Sequence, residues 1–464
     1  MATTRRRNTE LAALLTEAQW SYARAAAAFV RVALENGASQ FALVERSHIA
    51  KWVAGSVPQG PGPEILCEAL GRRLGRVVTP GQLGFGPRDV APDADGLWAG
   101  DTLSALSDLW SRDVTIDRRQ VLGATAYQVA ALAVPGQSWW AAMAARGKGR
   151  GRVQAAQVGR GDLEVVRDAV AMFSTMDQRR GGGHGRTAVV QYLNHEVAQY
   201  LQGRFATEEL RKEMFSAAGE LSYLSGWMAF DAGSQAVAQR YFTLAVKLAA
   251  EADNAPLAGH VLRAAAHQAN DLKHYQLALT LADASVDGER YRTASHRERA
   301  LLGVVHARAL SSNSDKVGAA KALLRAEDDL ARAGTGDDEP ARVWFFQEAS
   351  LAHETACALR DVGDLDGAVR EFHRSVRTRK TAAFARTHAV TLGYLGDVQA
   401  RQGNIEQACA TWSDALDRMD GIRSGRTVQT AVQMRCALSP FRQRGVSAVH
   451  DIDARASAYL ARAA

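Results

Sequence analysis

Four side chains able to bind a nucleic acid stand together in residues 46–58, a segment that ends in glycine and proline. They share the outward face of a predicted two-turn helix and are Arg46, Ser47, His48 and Lys51. Ile49 and Trp52 lie three residues apart and form the opposite, apolar face. Gly55 can adopt the left-handed conformation that ends a helix, and Pro58 cannot continue one. A short helix with a buried stripe and outward-reaching donors is typical of recognition helices in the major groove.

The same segment, with Pro63–Gly71 behind it, resembles helices three and four of the lambda-repressor-like helix-turn-helix. It is similar to the variant that opens many actinobacterial regulators with tetratricopeptide-type C-terminal halves. The resemblance covers roughly Asn8 to Phe85 and implies a DNA-binding domain, in regulators of development and secondary metabolism. We group Ser21, which caps the preceding predicted helix, with the DNA-binding residues. The alternative is that these residues form a small helical domain used for dimerisation.

Length and charge bound the remaining possibilities. A chain of 464 residues is too long for one ordinary core, and its 47% hydrophobic and 23% charged residues are typical of a soluble globular protein. Lys and Arg number 56 against 50 Asp and Glu, a net charge of +6, so any DNA site depends on local charge. We predict domains at 1–85 and 116–464 joined by a linker, 86–115. Part of that local charge is expected from Arg72, Arg73 and Arg76.

The C-terminal two-thirds repeats a pattern of small and aromatic residues. A small residue is followed at offsets of twelve, four and three by Ala, an aromatic or small residue, and a second small residue. Four instances occur, namely Gly226/Ala238/Phe242/Ala245, Ala266/Ala278/Ala282/Ser285, Ala356/Ala368/Phe372/Ser375 and Gly396/Ala408/Trp412/Ala415. The pattern is that of tetratricopeptide repeats, so we predict an all-α protein in which a solenoid of helical hairpins follows the small N-terminal domain.

Such a solenoid has a concave groove, and tetratricopeptide grooves generally bind peptides or helices. Polar residues at helical positions that could line the groove are Asn194, Arg263, His267 and Asn270. We therefore expect a peptide or protein partner, and also a homodimer. The alternative for each of these side chains is that it is solvated or satisfied inside the solenoid.

Two further segments carry predictions of structure. We expect a helix from Thr115 to Ala133. The stretch 135–161 is rich in Gly and Arg and is interpreted as a surface loop, with DNA-backbone contact as the alternative. The four cysteines lack metal-type spacing and are predicted to be buried thiols in a reducing compartment, at Cys67, Cys357, Cys409 and Cys436.

The spacing of histidines, cysteines and acids does not favour an enzyme. No Ser/His/acid or Cys/His arrangement, His-Glu-x-x-His or Cys-x-x-Cys motif occurs, so we expect no catalytic residues, no metal and no cofactor. The longest apolar run, Val121–Val134, is too short to cross a membrane, and we expect a cytoplasmic protein. Two hypotheses remain: a DNA-binding transcriptional regulator, and a tetratricopeptide adaptor whose N-terminal domain no longer binds DNA.

Overall fold

The chain is α-helical, as predicted, and its larger part is built from helical hairpins. The computed structural model describes residues 7–35, 38–74, 76, 78–85, 98, 100–114, 127–129, 132–148, 156–334, 339–442 and 446–463. The strands within these ranges are β1 (Gln157–Val158) and β2 (Arg204–Phe205), which pair in parallel.

Four helices enclose the N-terminal core. They are α1 (Thr9–Glu17), α2 (Tyr22–Glu35), α3 (Arg46–Val53) and α4 (Gly62–Leu74). Asn8 caps α1 by accepting a hydrogen bond from the Leu11 N–H. The core fills with apolar residues from all four helices, and the rings of Phe29 and Trp52 lie 5.1 Å apart at its centre. Phe41, at the end of a short 3-10 turn, packs edge-on against Phe29.

Between α4 and the repeat helices, the structure differs from the sequence-based expectations in two segments. The helices of this part are α5 (Thr102–Val114), α6 (Gln137–Lys148), α7 (Arg160–Arg180), α8 (Arg186–Tyr192) and α9 (Ala198–Leu201). The loop prediction for 135–161 was wrong over α6, because Trp139, Trp140 and Met143 lie at helical spacing among good helix formers. Residues 127–129 and 133 are not helical, so the helix predicted over 115–133 does not extend to its expected end; residues 115–126 lie outside the described residues.

The second half consists mainly of long helices joined by short turns. They are α10 (Glu208–Asp231), α11 (Gln235–Glu251), α12 (Ala255–Asp271), α13 (Tyr275–Ser285), α14 (Glu289–Arg292), α15 (His296–Ser312), α16 (Lys316–Ala331), α17 (Glu348–Val362), α18 (Leu365–Thr378), α19 (Ala385–Arg401), α20 (Ile405–Arg418), α21 (Gly425–Leu438) and α22 (Ser447–Ala463). Consecutive helices pair as antiparallel hairpins from α12/α13 onward, and each hairpin packs on the next.

The repeated residues occupy the positions that the pattern assigns to them. Phe372 and Trp412 are buried in the apolar clusters of their hairpins. A methyl group on Gly396 would come within 2.3 Å of the Trp412 indole nitrogen, so the small residue makes room for the ring. Gly363 and Gly403, which join the paired helices, have positive φ angles of 91° and 88°, a region that glycine enters readily.

Two compact units divide the chain. The N-terminal unit contains residues 1–140 and 233–244, and the repeat unit contains residues 141–232 and 245–464. The proposed boundaries at 85 and 115 stay predictions. Three of the four cysteines are buried as expected, but Cys436 is exposed, because it lies on the outer face of α21.

Candidate functional site

The position of α3 follows from its apolar residues. Ile49, Trp52 and Val53 point into the N-terminal core and are at most 7% exposed. Gly55, with a φ of 105°, ends the helix as its position in the sequence predicts. The remaining positions of α3 therefore form an outward polar face.

The predicted DNA-binding residues differ in whether their side chains bind other groups of the protein. Arg46, Ser47 and Lys51 are exposed, and their side chains have no hydrogen bond or ion pair to another described residue. His48 accepts a hydrogen bond at Nδ1 from the Glu45 N–H, at 3.1 Å, which leaves its Nε2 to donate outward. Ser21 lies at the start of α2, where its hydroxyl accepts from the Arg24 N–H.

The three arginines at and just beyond the end of α4 contact groups of the same domain. Arg72 lies 2.6 Å from both Glu35 and Glu68, and Arg76 pairs with Glu17 at 3.0 Å. Arg73 donates to the Ala18 carbonyl. These contacts tie α4 to the first two helices, so the positive charge here serves the domain core.

The N-terminal unit also contains a polar clamp that no sequence pattern predicted. The Gln239 side chain accepts from the Gln128 N–H and donates to its carbonyl, at 2.9 and 2.7 Å. Next to it, Glu68 accepts from the Val129 N–H. Residues 127–129 are thereby fixed to both α4 and the first half of α11.

Inside the repeat unit, Arg308 of α15 is the centre of a buried charge network. Its guanidinium donates to Asp271 at 2.8 Å and to Glu354 at 3.3 Å, and lies 3.3 Å from His267 Nε2. Burial alone would raise the pKa of Asp271, but Arg308 and His267 outweigh burial and hold that pKa well below its usual range. Arg426 reaches the same network from α21, at 3.7 Å from Asp271.

A second network joins α10, α12 and α15. Arg342 donates to both carboxylate oxygens of Glu298, at 2.7 Å each, and to Glu220 at 3.1 Å. Burial acts to raise the pKa of Glu298, but Arg342 and His260 outweigh it and bring the pKa down to about 2. Burial and the nearby charge of Arg263 lower the pKa of His260 to about 4. At neutral pH His260 is therefore an uncharged ring held between an arginine and a carboxylate.

Three of the four predicted groove residues belong to this interior. Arg263, His267 and Asn270 are 2%, 2% and 7% exposed, so they do not line an open surface groove. Asn194 lies apart from them in a single π turn, Leu193–Val197, where its side-chain amide donates to the Val190 carbonyl. Their part in binding a partner stays a prediction.

Two aromatic residues of the interior, Trp227 and Phe230, were not predicted from the sequence. Tyr223, Trp227 and Phe230 occupy one stripe of α10, and their rings meet the His260 and His267 rings at centroid distances of 4.7–5.8 Å. Their spacing of four and three residues is the signal that could have identified them.

Helices from the early and the late parts of the repeat unit contact each other. Arg386 of α19 lies 3.0 Å from Asp177 of α7 and 3.3 Å from Asp231 of α10. Ser424 donates to the same Asp231 at 2.8 Å. These contacts close the hairpin array on itself, which explains why the inward side chains are buried.

Comparison with known protein families gave a match for one segment of the chain. Residues 11–86 match the family model described as SP15 N-terminal domain, which covers the helices that surround the N-terminal core. No match was found among curated proteins or among solved structures.

Two searches of the described residues gave negative results. Among the described residues, no helix is long and apolar enough to cross a membrane. No group of three or more His, Cys, Asp or Glu side chains in the described ranges is arranged to hold a metal ion.

Proposed function

We propose that the protein is a sequence-specific DNA-binding transcriptional regulator that contacts DNA through the outward face of α3. The main support for this proposal is that the exposed side chains of Arg46, Ser47 and Lys51 form no hydrogen bond or ion pair with another described residue. These side chains can donate hydrogen bonds to base edges or phosphates without breaking a contact within the described structure. His48 adds a fourth donor through Nε2.

The contrast with α4 supports the choice of α3. Arg72, Arg73 and Arg76 are equally basic, but each is held by a carboxylate or carbonyl group of the same domain. A DNA phosphate would have to compete with those groups, whereas at Arg46 and Lys51 it would have no protein competitor among the described residues.

We propose that the repeat unit receives a signal or forms a dimer. Its closed array holds a network of buried charges and aromatic rings, so a partner would act by changing the balance between two arrangements of these helices.

The proposal is tested by binding of the full chain to genomic DNA fragments, including the promoter of its own gene. We expect binding that weakens as salt rises, because each phosphate contact releases counterions. Absence of binding to every fragment would favour the second hypothesis, an adaptor protein in which the N-terminal domain serves contacts with other proteins.

A further inference from the structure

The Arg263 cluster, which we define as Tyr223, Trp227, His260 and Arg263, contains a buried positive charge without a carboxylate partner. Arg263 is 2% exposed. Unlike Arg308, Arg342 and Arg386, it forms no ion pair with a described residue. Because an unpaired charge is costly to bury, this position calls for an explanation.

The hydrogen bonds of Arg263 leave most of its donors unused. A guanidinium carries five N–H groups. Nη2 contacts the Tyr223 hydroxyl at 3.1 Å and His260 Nε2 at 3.0 Å. The buried Nε has no partner, and Nη1 has none among the described residues.

The acid next to His260 is already occupied. Glu298 lies beyond the His260 ring, 3.2 Å from Nδ1, and gives both of its oxygens to Arg342. The His260 ring therefore separates Arg263 from this carboxylate and presents only a neutral acceptor to it.

Aromatic rings complete the surroundings. The Arg263 guanidinium lies 5.8 Å from the Tyr223 ring centroid and 5.7 Å from that of Trp227. The Trp227 side of the cluster is partly exposed, whereas Tyr223 and His260 are buried. Rings hold a guanidinium in position by cation–π attraction without neutralising it.

We propose that the Arg263 cluster binds the carboxylate or phosphate group of a small organic anion, which approaches past Trp227. Arg263 supplies the charge and the unused donors, in the forked geometry that suits both groups. The Trp227 ring contacts the apolar part of the ligand. The closed array of helices favours a small ligand over a helical peptide. This inference rests on the signal-receiving role proposed for the repeat unit and names the chemical class of that signal.

The test is thermal melting of the full chain, without DNA, in sodium phosphate or sodium benzoate against sodium chloride of equal ionic strength. A ligand that binds only the folded chain raises the melting temperature with concentration. We expect such a rise with at least one of the two anions; phosphate alone would indicate a phosphorylated ligand, and benzoate alone a carboxylic acid.

Substitutions of Arg263 test whether this residue binds the anion. Arg263→Met should abolish the rise, and Arg263→Lys, which keeps the charge but loses the fork, should weaken it and serves if the first variant does not fold. The matched control is Arg299→Met, since Arg299 also lies over a tyrosine ring, 5.7 Å from Tyr291, but donates to backbone carbonyls. No rise beyond chloride, or the same rise in the Arg263 variants, would overturn the proposal. Neither result depends on whether α3 binds DNA.

Discussion

On α3, Arg46 and Lys51 extend into solvent without an ion pair to another described residue, whereas Arg308 of the repeat unit is buried between two carboxylates. Residues of the same type thus have opposite energetic roles. An exposed cation contributes little to folding and is available for an external anion. A buried, paired cation is needed for the fold, because its removal leaves its partners charged and dehydrated. The difference indicates which arginines to mutate when binding and stability are to be separated.

The largest effect is expected from breaking the buried network. Arg308→Ala would leave Asp271 and Glu354 without their common partner, and loss of one member of a buried pair typically costs about 3–5 kcal/mol. Differential scanning calorimetry of the full chain should show the change in the transition of the repeat unit. Arg46→Ala is the control and should stay within about 0.5 kcal/mol of the original protein. Equal effects of the two substitutions would contradict the comparison.

Truncation of the anchor beneath the exposed face should be nearly as damaging. Trp52 is 7% exposed and packs on Phe29, so Trp52→Ala should cost about 3–5 kcal/mol. The loss should appear in the melting of the N-terminal unit and leave the transition of the repeat unit in place. A shift of only a degree or two would show that Trp52 does not hold α3 to the core.

Acid should weaken the repeat unit through its buried histidines. Burial and Arg263 lower the pKa of His260 to about 4, and burial lowers that of His353 to about 3. An unfolded histidine titrates near 6.5, so between about pH 6.5 and pH 4 the unfolded chain binds protons that the folded chain does not, and stability falls as pH falls.

For His260 alone this difference corresponds to roughly 3 kcal/mol. We expect the melting temperature of the repeat unit to be flat near neutral pH and to fall steadily below about pH 6.5. His260→Gln should flatten part of that decline. A profile that is level down to pH 4.5 would mean that these histidines are not buried in their neutral form.

A smaller effect is expected where a glycine makes room for an aromatic ring. Gly396→Ala would place a methyl group against the Trp412 indole, and overpacking of this kind costs about 1–3 kcal/mol. Gly161→Ala, in α7, is the matched control, because nothing lies within 4 Å of the added methyl. If both substitutions leave the urea midpoint of the repeat unit unchanged, the packing role assigned to the repeated small residue is wrong.

The sequence predicted what depends on local spacing. The offset from Gly396 to Trp412 identified a packing contact within one hairpin, and the Ile49/Trp52 stripe identified the buried face of α3. In both cases the periodicity of a helix determines which residues face inward.

Contacts between distant hairpins could not be predicted in the same way. Asp271, Arg308 and Glu354 belong to three different helices, and no pattern in one chain specifies which acid meets which base. His267 and Arg263 were predicted to line an open groove, but both are buried, because distant helices of the array contact each other through Arg386 and Asp177. The helix at 137–148 was missed because Arg146, Lys148 and the neighbouring glycines made the segment resemble a loop.

The central claim is that the exposed polar face of α3 binds DNA. It is tested most directly by comparing two substitutions in the full chain, each of which removes one positive charge. Fluorescence anisotropy would measure the affinity of Lys51→Ala and Arg76→Ala for a bound genomic fragment at fixed salt. Lys51 is exposed on α3 without a described partner, whereas Arg76 is paired with Glu17. We predict that Lys51→Ala weakens binding by about 1–3 kcal/mol and that Arg76→Ala changes it far less. Equal losses, or no loss with Lys51→Ala, would contradict the account.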